Sequence, residues 1–172
     1  MHLANSPTHD AIDVSAFPPP SRSFSARLVA SAQPEQVGML RRHASALFAI
    51  WKFSTDEQES AALVISELLS NAVVHGGPRM ELRLGLTCQK LDITVTDCGL
   101  PDTAPLCGRD DPDECGRGLE IVTALADNVH KEQLSEGWHI RARMTLTSSP
   151  GPVPDESPQL RKFAAQQTSI RF

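Results

Sequence analysis

Tyrosine is absent from the 172-residue chain, and its aromatic content is limited to six Phe and two Trp. Aromatic stacking as the binding mode is argued against on that ground. A basic surplus is also missing. The formal net charge is -5, with 16 Lys+Arg against 21 Asp+Glu, the wrong balance for a general nucleic-acid binder. No apolar run approaches the roughly 20 residues that cross a bilayer. Met1–Pro20 has no cationic flank followed by an apolar core, so it does not read as a signal peptide, and a cytoplasmic location is expected. None of the four cysteines, Cys88, Cys98, Cys107 and Cys115, forms a C-x-x-C pair, and no His stands at finger spacing, which argues against zinc. Free thiols in a reducing compartment are expected. For Cys107 and Cys115, in a polar loop, the alternatives are solvent-facing thiols and redox sensitivity.

What is present is enough apolar content, 40%, for one domain with tails. The organising stretch is Glu67–His75, within an apolar-periodic run from Asp56 that stops at Gly76-Gly77-Pro78. This predicts a helix with a hard end. Ala61, Ile65, Leu68, Leu69 and Ala72 gather on one face at helical spacing, while Glu67, Asn71 and His75 form a polar stripe along its edge. An ordinary amphipathic helix has such edges. A helix lining a pocket has them too, and there the Asn amide oxygen suits Mg2+ while the Glu carboxylate can orient or deprotonate a nucleophile.

Residues 1–22 end in three prolines and read as a disordered lead-in. Ser23–Ala30 alternates as a strand near a sheet edge. A helix follows from Ala32 to Trp51, with Pro34 in its first turn and Val37, Leu40, Ala44, Leu47, Phe48 and Trp51 on its apolar face. Arg41, Arg42 and His43 fall on the other side, as either a solvated face or a partner surface. Ser54-Thr-Asp-Glu supplies capping chemistry for the next helix. Met80–Thr87 and Leu91–Asp97 alternate as hairpin strands around Cys88-Gln89-Lys90. The second strand ends Asp97-Cys98-Gly99 and leads into a loop, Leu100–Cys115, rich in Pro, Asp, Gly and Cys. Loops of that length inside domains are usually functional or disordered. Gly116-Arg117-Gly118 then enters a helix read as Leu119–Asp127, where free backbone N–H groups would face either an anion or plain solvent. Val129–Gln133 and Trp138–Leu146 read as the last strands, and 148–172 as a flexible tail.

The order of these signals is more specific than any one of them. Glu67-x-x-x-Asn71 on a helix, a hairpin ending Asp97-x-Gly99, a variable loop, Gly116-x-Gly118-Leu119 opening a helix and a closing strand pair resemble the ATP-binding fold shared by gyrase and histidine kinases. Within it the chain is most similar to the anti-sigma factor serine/threonine kinases of the RsbW/SpoIIAB type, on the phrase Glu67-Leu-Leu-Ser-Asn-Ala-Val-Val-His-Gly, over about Phe24–Leu146. The resemblance implies an α+β, two-layer α/β sandwich: a mixed, mostly antiparallel sheet with helices on one face, in an ATP-binding domain spanning 23–147. It implies ATP and Mg2+ as cofactors. Asn71 would hold Mg2+, Glu67 would be the general base, and Asp97 would accept from the adenine amino group. Gly99 would let the base approach the backbone, and Gly116, Arg117, Gly118 and Leu119 would present the phosphate-binding turn. The loop would be a lid. His75 would either cap or pack at the helix end or contact the nucleotide. Implied partners are a sigma factor or similar regulator, an antagonist protein as phospho-acceptor and a second copy as a homodimer, with neither nucleic acid nor membrane. The alternative is a nucleotide-binding switch that sequesters its partner without phosphotransfer. Two departures bear on that choice: Gly137-Trp138 stands where the family often has Gly-Thr, and the lid is acidic at Asp102, Asp110, Asp111, Asp113 and Glu114.

Overall fold

Ser54 starts the central helix. Its side chain accepts from the backbone N–H of Glu57 at 3.4 Å, and the Glu57 carboxylate accepts from the Ser54 N–H at 2.9 Å, the reciprocal box that satisfies two orphan donors. The computed structural model of the protein describes residues 23–97, 114–135 and 137–148. Within them the order is β1 (Ser23–Ser31), α1 (Pro34–Ile50), α2 (Thr55–His75), β2 (Arg79–Thr87), β3 (Lys90–Asp97), α3 (Glu114–Leu125), β4 (Asn128–Leu134) and β5 (Gly137–Thr145).

The five strands form one sheet in the order β1-β2-β3-β5-β4. Every pairing among the described strands is antiparallel, in line with the mostly antiparallel sheet expected from the sequence. The physical reason is connectivity. β2–β3 and β4–β5 are hairpins, and the segment through α3 and β4 returns the chain so that β5 enters beside β3 in the opposite sense. β1 is an edge strand, as its short alternation predicts. The β2–β3 loop is two residues, Cys88-Gln89, with Cys88 at φ 54°; Lys90 already belongs to β3.

Strand alternation assigns two faces. Ala26, Leu28, Leu82, Leu84, Leu91, Ile93, Val95, Ala142 and Met144 point inward and are buried. Arg27, Arg83 and Arg141 point outward and are exposed, with Glu81 between Arg27 and Arg83 and Asp92 between Arg141 and Arg143. The helices cover the inner face. α2 lies centrally, contributing buried Ala61, Val64, Ile65, Leu68, Leu69 and Ala72, and α1 and α3 flank it. α1 buries Leu40, Ala44, Leu47 and Phe48, and beyond its end Trp51 and Phe53 join Phe48 in an aromatic cluster in which the Phe48 and Phe53 rings stack at 5.0 Å. Arg41 and Arg42 are exposed, but His43 is half-buried against the helix packing.

α3 begins five residues earlier than its apolar pattern predicts. That moves Gly116, Arg117 and Gly118 from the helix entry into its first turns. Glycine costs about 1 kcal/mol relative to Ala inside a helix; here packing against α2 holds the turn helical. The acidic loop before α3, with Gly99, Cys98 and Cys107, lies outside the described residues, as do 1–22 and 149–172.

Candidate functional site

Asp97 is the last inward-pointing residue of β3, one alternation beyond Val95. A carboxylate at a core position is costly unless it is held by hydrogen bonds. Asp97 is 6% exposed, and its Oδ1 accepts from the backbone N–H of Trp138 on β5 at 3.0 Å. The end of α2 closes over it. A Cβ at Gly76 would lie 2.3 Å from the Ala72 carbonyl oxygen and 2.6 Å from the Asp97 Cβ, so this close approach of helix end to strand end requires glycine. The sequence reading takes Gly76 only as a helix stop.

Beside Asp97 opens a cavity of ≈ 240 Å³ lined by Asn71, His75, Asp97, Leu119, Lys131 and Trp138, floored by apolar side chains that include Leu68, Val95 and Ile140. Asn71 and His75 reach it because they follow Glu67 at four-residue steps along the edge of α2. The cavity is smaller than the ~300–1,000 Å³ usual for a whole ligand site, so its described walls fit part of a ligand, such as a base. His75 faces this cavity, and its buried Nδ1 has no hydrogen-bond partner among the described residues. The ring nitrogen and the Asp97 carboxylate together make the cavity lining polar on that side.

Glu67 lies one helical turn before Asn71 and outside the cavity walls. It faces α3: a Cβ at Gly118 would come within 2.7 Å of Glu67 Oε2. Gly118 thus serves the contact between α2 and α3, and Leu119 reaches the cavity with its side chain. Arg117 is exposed. The structure therefore brings Asn71, Asp97 and Leu119 to one cavity and sets Glu67 and Gly118 against each other nearby. Lys131 is a lining residue that the sequence reading does not assign to the site, whereas Trp138 stands at the position that reading marks as a departure from the family's Gly-Thr. Trp138 carried a signal, an indole at the start of a clean strand; Lys131 carried none, since edge strand β4 is almost wholly exposed. Among the described residues no cluster of three or more acidic, His or Cys side chains could hold a metal ion. The Asn71 amide oxygen, the metal ligand that the resemblance implies, is of the hard, neutral kind that Mg2+ takes beside water and phosphate oxygens.

The profile of the histidine kinase-like ATPase domain matches residues 30–144. The chain belongs to that family. Among curated relatives, the serine-protein kinase RsbW of Bacillus licheniformis is 29% identical over 116 residues, covering 58% of this chain and 72% of the relative. The serine-protein kinase RsbW of Bacillus subtilis is 28% identical over 120 residues, covering 60% and 75%. A solved structure of the RsbU and RsbW domains of a Mycobacterium tuberculosis protein superposes with a TM-score of 0.53 at 17% identity, over 70% of this chain and 32% of that one; it bears on the fold alone. The matched region runs from the end of β1 to the end of β5 and so contains the cavity, Glu67 and Gly118. No helix among the described residues is long and apolar enough to cross a membrane.

Proposed function

We propose that this chain is a Mg2+·ATP-dependent regulatory serine/threonine kinase that phosphorylates a Ser or Thr on an antagonist protein and sequesters a sigma factor or similar regulator. The observation that carries the reading is Asn71 and Asp97 on one cavity with Glu67 a helical turn away. The residues fit the nucleotide: a buried carboxylate for an amino group, an imidazole nitrogen and one amide oxygen of the kind Mg2+ accepts. Bound Mg2+·ATP would supply the phosphoryl group and the cation that offsets its charge. Asp97 would hold the base end through a charge-assisted hydrogen bond. Asn71 would hold the metal end. Glu67 would take the proton from the acceptor hydroxyl, or hold that hydroxyl in line. Gly99 and the backbone of Gly116–Leu119 complete the proposed site. The domain so used is 23–147, with segments 1–22 and 148–172 outside it, working in the cytoplasm as a homodimer by analogy with the kinases it resembles.

A second reading, a nucleotide-binding switch without phosphotransfer, is favoured by one observation: Glu67 stands outside the cavity, against Gly118. The same variant decides between them. With γ-labelled ATP and candidate antagonists, Glu67→Gln should cut transfer by roughly 10²–10⁴-fold, the usual size of a general-base contribution, at unchanged ATP affinity and melting temperature. Transfer at the wild-type rate with ATP bound removes Glu67 as the base. No transfer by the wild-type chain to any candidate, with ATP bound, favours the switch.

A further inference from the structure

Trp138 meets the cavity in two separate ways. Its backbone N–H orients Asp97, a task that any residue other than proline at this position performs. The indole is not needed for it, yet the indole is half-buried in the cavity wall with Asp97, Asn71 and His75. Lys131 Nζ lies over the ring, 4.3 Å from its centroid. The register explains this contact. Gln133 pairs with Trp138 and Lys131 with Ile140, so Lys131 is the diagonal neighbour of Trp138 on the same face, within reach of a long side chain. The ammonium is attracted to the electron-rich face of the indole and restrains where the ring can sit.

A buried carboxylate and a positioned aromatic surface in one small cavity suit a flat aromatic ligand that carries hydrogen-bond donors. The carboxylate takes the donor edge and the indole takes the π-surface. We propose that Trp138 is a contact residue for the nucleotide base and Lys131 a positioning residue that holds the indole against it, so that base recognition here depends on an aromatic wall. The proposal rests on the nucleotide reading above and extends it to what selects the base.

The test follows intrinsic emission and calorimetry on the full chain with Mg2+·ATP, and with Mg2+·tripolyphosphate as a probe lacking a base. The two Trp residues are separable, because Trp51 is 2% exposed within the aromatic cluster. Emission should change saturably with ATP at the calorimetric midpoint and stay constant with tripolyphosphate. Trp138→Phe should lose the emission response while binding ATP within about threefold of wild type. Trp138→Thr should weaken ATP roughly 5- to 100-fold, the range for losing a base–aromatic contact. Lys131→Met should shift the emission of the free protein and weaken ATP about 2- to 5-fold, with Lys131→Arg restoring both. ATP heat with unchanged emission, or Trp138→Thr binding as tightly as wild type or tighter (the indole then being a plug), overturns the base contact alone. Absence of ATP heat in the wild-type chain overturns the nucleotide reading and this inference together.

Discussion

At the residue scale the site depends on where single polar groups sit relative to the core. Asp97 occupies an inward position of β3 that an apolar residue would fill without cost, and its desolvation is offset in part by the Trp138 N–H. Asp97→Asn keeps the shape and removes the charge. It should weaken adenine nucleotides by about 1–3 kcal/mol, read by calorimetry with Mg2+·ATP. Asn71→Ala on the same cavity should instead remove the Mg2+ dependence of binding, because it deletes the amide oxygen while leaving Asp97 in place. The two variants thus separate the base end from the metal end, and identical losses in both would mean that they act through cavity collapse rather than through contact.

Helices and strands set how those groups meet, and two glycines show it. At Gly76 an added methyl would strike backbone, the Ala72 carbonyl oxygen, and the stem of Asp97. Gly76→Ala should therefore destabilise the fold by about 1–3 kcal/mol, the cost of overpacking a rigid site, and lower ATP affinity with it. At Gly118 the methyl would meet only the carboxylate tip of Glu67, which can swing aside. Gly118→Ala should lower phosphotransfer while the melting temperature changes little, and a large drop in melting temperature would show that Glu67 has no room to move. The other end of α2 is tied down electrostatically. The Glu57 carboxylate, already bonded to Ser54, also accepts from the backbone and hydroxyl of Thr147 and Ser148 beyond β5. Burial pushes its pKa up, but the bonds from Ser148 and Ser54 outweigh burial and bring it from 4.5 to about 2. A carboxyl group lowered on folding stabilises the fold above its unfolded pKa and loses that contribution as pH falls through the folded value. Acid titration should show this share of stability fading between pH ~4.5 and ~2. Glu57→Gln should flatten that segment and cost about 1–2 kcal/mol at neutral pH, a figure discounted for the solvent that reaches the group.

Considered as a whole, the molecule places its core and cavity on one side of the sheet and four ion pairs on the other. The inner face carries the core and the cavity; the outer face carries Glu81 between Arg27 and Arg83, and Asp92 between Arg141 and Arg143. These outer pairs are half-exposed and contribute little each, so the fold depends chiefly on α2 packed on the sheet. A fragment spanning 23–148 should fold and bind nucleotide like the full chain; it retains Ser148 because that residue bonds to Glu57. Saturating Mg2+·ATP should raise the melting temperature of both, by about 2.7 kcal/mol of added stability at a hundredfold excess over Kd. A fragment that melts early, or that gains nothing from the nucleotide, would show that the outlying segments take part.

The sequence alone determined the existence of the three helices and five strands, because hydrophobic period is a local property. Ala61, Ile65, Leu68, Leu69 and Ala72 recur at the spacing that makes one buried face, and they are buried. The alternation of β2, β3 and β5 likewise fixed their inward residues, and the ordered spacing of Glu67, Asn71, Asp97 and Gly116-x-Gly118 indicated the family. Tertiary structure decided what no local pattern encodes. The start of α3 depended on packing against α2, which holds two glycines in a helix where intrinsic propensity predicts a loop. β4, read from the sequence as Val129–Gln133, runs one residue further at each end, Asn128–Leu134, because pairing with β5 extends this exposed edge strand beyond its local signal. Gly76 and Gly118 acquired their roles only when another element came within 3 Å of where a Cβ would stand. Lys131 and Trp138 joined Asp97 and the Asn71–His75 stripe at one cavity through strand register and helix placement, contacts between residues distant in sequence that arise only when the chain is folded.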